Sequence, residues 1–140
     1  MPRSLRFFDH TGDFGVVLEA PGLGGLAELL VRAFLELLIE VPAAVHERSE
    51  HRIELEGIDG ADLLVALGNE LVYLFEVEGF LAARLEVLRA SETALCGVLH
   101  GDRFDPEEHP IARPVKAVTH HGARLEPVED GLRARIVFDL

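Results

Sequence analysis

Acidic groups gather at both ends of this chain. Near the start, Asp9-His10-Thr11-Gly12-Asp13 sets two carboxylates and a histidine around a glycine, just ahead of an apolar run. At the other end, Val137-Phe138-Asp139-Leu140 closes with the Asp139 carboxylate and that of Leu140. Calcium takes about six to eight oxygen ligands from carboxylates, carbonyls and water. If the two ends meet in the fold, Asp13, Asp139 and Leu140 supply part of such a shell for Ca2+ or another hard divalent cation, and water completes it. The residue types alone leave a second reading open: Asp13 as a turn former after Gly12, and Asp139 as a solvated end. The third chemical feature is Lys116, the one lysine among 13 lysine and arginine residues. A point charge on a flexible stem does not do the work of a guanidinium fork, so Lys116 is a candidate functional cation. The plainer alternative is a lysine that escaped the bias toward arginine.

Other chemistries are less well supported. His10, His120 and His121 are possible ligands or acid–base groups, but no HExxH or Cys-His spacing points to zinc. Neither a GxxxxGK[ST] loop nor a dinucleotide fingerprint is present. Gly22-Leu23-Gly24-Gly25 imitates a phosphate loop only weakly, has no basic neighbour and reads as a turn. Cys96 is the one cysteine, which excludes an intramolecular disulfide; its apolar neighbours suggest a buried structural thiol.

The elements that must position these residues follow from the apolar pattern. Leu5–Phe8 and Phe14–Ala20 read as strands on either side of the first turn. Leu26, Leu29, Leu30, Phe34, Leu37 and Leu38 recur at helical spacing and stop before Pro42. Ile53 and Leu55 alternate with charged residues as in a half-buried strand. A second helix starts at an Asp59 N-cap, carries Leu63, Leu64, Leu67, Leu71, Leu74 and Phe75, and ends at Gly79. Phe80–Arg89 and Thr93–His100 read as a hairpin around Ala90-Ser91-Glu92, and residues 101–110 as a polar loop. Val115–His121, a short stretch near Leu125, and Leu132–Asp139 supply the last strands. In the final strand Leu132, Ala134, Ile136 and Phe138 share one face, while Arg133, Arg135, Val137 and Asp139 share the other. The expected architecture is α+β: a two-layer sandwich of two amphipathic helices on a mixed, largely antiparallel sheet.

The composition bounds the function. The chain's 140 residues suit one domain, 1–140, with one core. No apolar run approaches the ~18 residues of a membrane span, and no signal-peptide core is evident; a cytoplasmic protein is expected. A net charge of −12 and a pI of about 4.9 argue against strong direct binding of nucleic acid, which normally needs clustered Lys and Arg. They suit a divalent cation or a basic protein partner.

In order along the chain, the motifs resemble the archease family. His10-Thr11-Gly12-Asp13 is similar to the family's His-Thr-Ala-Asp turn, with Gly12 in place of Ala. Val115-Lys116-Ala117-Val118-Thr119 matches its lysine strand, and Phe138-Asp139-Leu140 its acidic tail. Gly101-Asp102-Arg103-Phe104 with Glu108-His109 matches a loop, and Leu63-Leu64 with Asn69-Glu70-Leu71-Val72-Tyr73-Leu74 the second helix. The resemblance implies an accessory protein, itself not an enzyme. Its partner would be the RNA ligase protein that joins 3′-phosphate or 2′,3′-cyclic phosphate ends to 5′-hydroxyl ends in tRNA splicing and RNA repair. The resemblance implies that such an accessory protein would promote guanylylation of a ligase histidine and multiple turnover. It further implies calcium bound by Asp13 and Asp139 with Leu140 contributing, and Lys116 assisting the partner's chemistry. Two rivals remain at this level: a stand-alone metal-dependent phosphohydrolase using the same acids, and a chaperone-like interaction module.

Overall fold

The computed structural model describes residues 3–10 and 13–140, without the His10 side chain. Strands β1 (Ser4–His10) and β2 (Asp13–Ala20) are followed by helix α1 (Leu23–Leu38), β3 (Ser49–Glu56) and helix α2 (Gly60–Glu78). Strands β4 (Phe80–Ala90), β5 (Ala94–Arg103), β6 (Ala117–Val128) and β7 (Gly131–Asp139) complete the chain. The α+β class holds, but the expected single mixed sheet is two sheets. One has four strands in the order β1-β2-β7-β6, the other three in the order β3-β5-β4. Every pairing between these strands is antiparallel. The division has a packing cause. Each helix touches both sheets, and α1 buries residues nearly all round, from Leu26 and Leu30 to Val31, Ala33 and Phe34. A helix apolar on most sides needs cover on most sides.

Helix α2 has the ends its sequence requires. The Asp59 carboxylate accepts the Asp62 amide at 2.8 Å, and Gly79 closes the helix at φ 66°, a backbone state that costs glycine little. Helix α1 starts at Leu23, ahead of its expected first residue, Leu26, so Gly24 and Gly25 lie in its first turn. There a Cβ on Gly25 would stand 2.9 Å from the Ala20 Cβ, so the small residue lets the helix seat against the end of β2.

Three further local expectations change. Gly101, Asp102 and Arg103 continue β5 rather than opening a loop; Gly101 has no Cβ to collide with the Leu81 carbonyl opposite. The two short stretches around Thr119 and Leu125 are one strand, β6, interrupted by a bulge between Thr119 and Arg124. Cys96 is half-buried on the outer side of β5, because Leu95, Gly97 and Leu99 take the inward positions. There its Sγ accepts from Arg52 Nη2 at 3.4 Å.

One continuous cluster of buried side chains joins the helices to both sheets, with Val16, Leu18, Ala134, Ile136 and Phe138 fully buried under the four-stranded sheet. His109 is also fully buried. Its Nδ1 accepts the Asp105 amide at 3.1 Å and its ring stacks on Phe104, while Nε2 has no partner among the described residues.

Gly68 measures how closely α2 approaches β6: a Cβ there would lie 2.5 Å from Val118 Cγ2. Helix propensity favours alanine over glycine by about 1 kcal/mol, whereas overpacking costs about 1–3 kcal/mol. Gly68→Ala is therefore expected to lower the unfolding free energy by about 1 kcal/mol in urea denaturation, despite its better helix propensity.

Candidate functional site

The register of the four-stranded sheet lays its outer face out in rows. The inward positions of β2 and β7 are Phe14, Val16 and Leu18, and Phe138, Ile136 and Ala134. Asp13 and Asp139, one residue off those positions, lie on the outer side. They are direct cross-strand partners, with His10 beyond Asp13 on β1 and Ala117 beyond Asp139 on β6. The first and last segments therefore meet, as the acidic-end reading requires. Partners directly opposite across such a ladder have Cβ atoms about 4.5–5.5 Å apart, and like charges there are destabilising. A divalent cation between two such carboxylates would turn repulsion into attraction. Thr11 and Gly12, including the departure from the family's alanine, lie outside the described residues.

Lys116 joins this end of the sheet through its backbone. Its N–H donates to the Asp139 carbonyl at 2.8 Å, and its side chain is exposed, with no hydrogen bond or ion pair among the described residues. Three devices hold that segment. The Ala112 and Arg113 amides donate to the Leu38 carbonyl at the end of α1, at 2.7 and 3.4 Å. Val115, next to the lysine, is buried. On α2, the Asn69 side chain accepts the Val118 N–H and donates to the Val118 carbonyl, both at 2.9 Å. A side-chain amide thus satisfies the backbone groups that β6, an edge strand, presents away from β7. Leu140 packs on the core, which keeps its main chain beside Asp139. Under the same end, the Arg113 guanidinium stacks 4.7 Å from the Phe14 ring centroid.

The donors present are hard oxygens, the chemistry calcium or magnesium takes. Asp13 and Asp139 with Leu140 could supply only part of a shell; among the described residues no group of three His, Cys, Asp or Glu side chains could hold a metal by itself. The histidines behave differently from one another. His120 Nε2 lies 2.8 Å from Asp62 Oδ1 and so ties the bulge of β6 to the start of α2. His121 is exposed, and its amide donates to Thr119 Oγ1 at 3.0 Å.

Further along the face come the row Phe8, Gly15, Val137, Thr119 and then the row Arg6, Val17, Arg135, Arg124. A Cβ on Gly15 would run into the Phe8 ring, so the glycine lets that ring lie across β2. The Arg135 guanidinium stacks 4.7 Å from the Phe8 centroid, and its Nη1 donates to the Gly122 carbonyl at 3.0 Å. Gly122, at φ 78°, is the turning point of the bulge. The arginine row was not foreseen as a site. Its sequence signal is the alternation of Arg133 and Arg135 with apolar residues, and only the register adds Arg6 and Arg124 to it.

Residues 5–140 match the archease protein family (MTH1598/TM1083). This chain belongs to the archease family. The archease of Pyrococcus furiosus is 30% identical over 142 residues, covering 99% of each chain. That of Archaeoglobus fulgidus is 34% identical over 137 residues, covering 96% of this chain and 98% of its own. The fold is also that of protein 1598 of Methanobacterium thermoautotrophicum, with TM-score 0.78 at 24% identity over 97% of this chain and 98% of the other. In this archease-family fold no described helix is long and apolar enough to cross a membrane.

The Asp62 contact carries a pH dependence. The Ile58 amide, and after it the His120 side chain, hold the Asp62 carboxyl below its usual 3.8. A carboxyl with a lowered folded pKa adds stability above its unfolded value, and that stability is lost as the pH falls through the folded one. Unfolding midpoints measured from pH 5 downward are expected to fall more steeply below about pH 3.8 for the wild type than for Asp62→Asn, which has no carboxyl to protonate.

Proposed function

We propose that this chain is an accessory protein of an RNA ligase that joins 3′-phosphate or 2′,3′-cyclic phosphate ends to 5′-hydroxyl ends. It promotes formation of the ligase's guanylylated histidine, and with it repeated turnover, and is not itself the enzyme. The observation that carries this reading is the meeting of three sequence-distant motifs at one end of the four-stranded sheet. Asp13 stands opposite Asp139, and the Lys116 amide is bonded to the Asp139 carbonyl. These are three of the five segments on which the family resemblance rests.

Asp13, Asp139 and Leu140 would hold Ca2+, or another divalent cation of similar hardness. Bound there, the cation supplies positive charge for phosphate oxygens. This chain's own residues do the rest. The β2–β7 ladder fixes the two carboxylates, and the Leu140 side chain keeps the last residue against the core. The exposed Lys116 ammonium is free to swing on its stem toward a partner's nucleotide site, where it can neutralise phosphate charge during nucleotidyl transfer. A chain of net charge −12 suits docking on a basic ligase surface in the cytoplasm.

The Thermotoga maritima archease, whose structure is described as that of a possible chaperone, shares the fold at TM-score 0.65 and 18% identity over 95% of this chain and 94% of that one. A chaperone role without catalytic assistance is therefore the second reading, and it predicts that the acids at the sheet end are dispensable. The test is ligation under multiple turnover, with RNA in excess over the source organism's ligase. Wild type is expected to stimulate, and Asp13→Ala and Lys116→Ala each to lose at least about tenfold of that stimulation. Wild-type stimulation by both variants would overturn the assignment. Phosphate-ester hydrolysis by the protein alone would instead identify a phosphohydrolase.

A further inference from the structure

The row Arg6, Val17, Arg135, Arg124 spans all four strands of the outer face. Its members line an open cleft of about 420 Å³, together with Glu126 and Arg133. Arg135 and Arg124 stand directly opposite each other, an arrangement that costs stability when nothing neutralises it. The carboxylates nearby are otherwise engaged: Arg133 Nη2 holds Glu19 at 2.9 Å, and its Nη1 holds Glu126 at 3.5 Å. Arg6 and Arg124 are exposed, with no hydrogen bond or ion pair among the described residues. A chain of net charge −12 thus keeps a row of guanidiniums on an uncovered sheet face and leaves the two outermost ones unneutralised.

We propose that this face binds the sugar-phosphate backbone of a single-stranded RNA segment. The row runs the width of the sheet, about 14 Å at the usual strand spacing, which suits successive phosphates of a strand better than one small anion. The Arg135 guanidinium, already stacked on Phe8, presents a flat cation on which a base can stack. Screening at ordinary ionic strength confines the chain's distant acids to within about 10 Å of themselves, so the negative total does not cancel the local row. Arg135 lies four residues from Asp139 on β7, about 13 Å along the strand. The inference rests on the proposed function for the source of the strand: RNA lying across this row would pass that far from the end of the sheet that would face the ligase's nucleotide site.

The test is fluorescence anisotropy of a labelled single-stranded RNA of about 12 nucleotides with the full chain. Phosphate contacts by three arginines give a slope of log K against log salt of about −2. Arg6→Gln with Arg124→Gln is expected to weaken binding about tenfold and to shrink that slope by more than one. Arg89→Gln with Arg103→Gln, the same charge change on two exposed residues of the three-stranded sheet, is expected to change neither. Absence of salt-dependent binding, or an equal loss in both double variants, would overturn the proposal. So would full displacement of the RNA by millimolar inorganic phosphate, which would make the row a small-anion site. RNA affinity unchanged in Arg6→Gln/Arg124→Gln, with affinity for the ligase reduced, would mark an acidic protein surface as the occupant and overturn it as well. Ligase guanylylation from GTP without RNA separates this idea from the function it rests on: Arg6→Gln/Arg124→Gln should stimulate it fully, whereas failure of the accessory reading would show in Asp13→Ala and leave the anisotropy result standing.

Discussion

The antiparallel pairing of β2 with β7 is the constraint on which the rest depends. It joins strands from opposite ends of the chain and sets Asp13 against Asp139. The fold has strong reasons to keep this register. A slip by one residue would turn Phe138, Ile136 and Ala134, all fully buried, to the outer face and bring Asp139 into the core. Burying a large apolar side chain is worth about 1.5–3 kcal/mol, far more than like-charge repulsion between two surface carboxylates costs. Core packing thus wins and imposes the facing acid pair at the end of the sheet.

The helices contribute by holding the neighbouring strand in place. Asn69 on α2 clamps both backbone groups of Val118, and Gly68, one residue earlier, lets the helix come close enough for that clamp. The end of α1 holds the segment before Lys116 through the Leu38 carbonyl. The lysine therefore sits on a short stretch fixed on both sides, with its flexible stem exposed.

Much of this was legible from local signals. Asp59 and Gly79 bounded α2 because a capping carboxylate and a left-handed glycine act over a few residues. The inward set on β7 was legible because side chains alternate along any strand, and the same alternation assigned Asp139 to the outer face. Features set by long-range choices were not. The split into two sheets depends on which edges pair, and the continuity of β6 depends on a bulge closed by Gly122 and clasped by Arg135. The outward position of Cys96 follows from the inward positions of Leu95 and Leu99. Net charge could not reveal the arginine row, because a composition averages over surfaces: a total of −12 coexists with arginines brought together from β1, β6 and β7.

The most direct measurement of the central claim is thermal unfolding with and without calcium, for wild type and Asp139→Asn. A ligand that binds only the folded state raises its stability by about 2.7 kcal/mol at a hundred times its Kd. Without calcium, Asp139→Asn is expected to melt at or slightly above the wild type, because the repulsion across the ladder is gone. With calcium, the wild type should rise and the variant should stay where it was. Equal calcium shifts in the two proteins, or none in either, would contradict a cation held between the two ends of the chain.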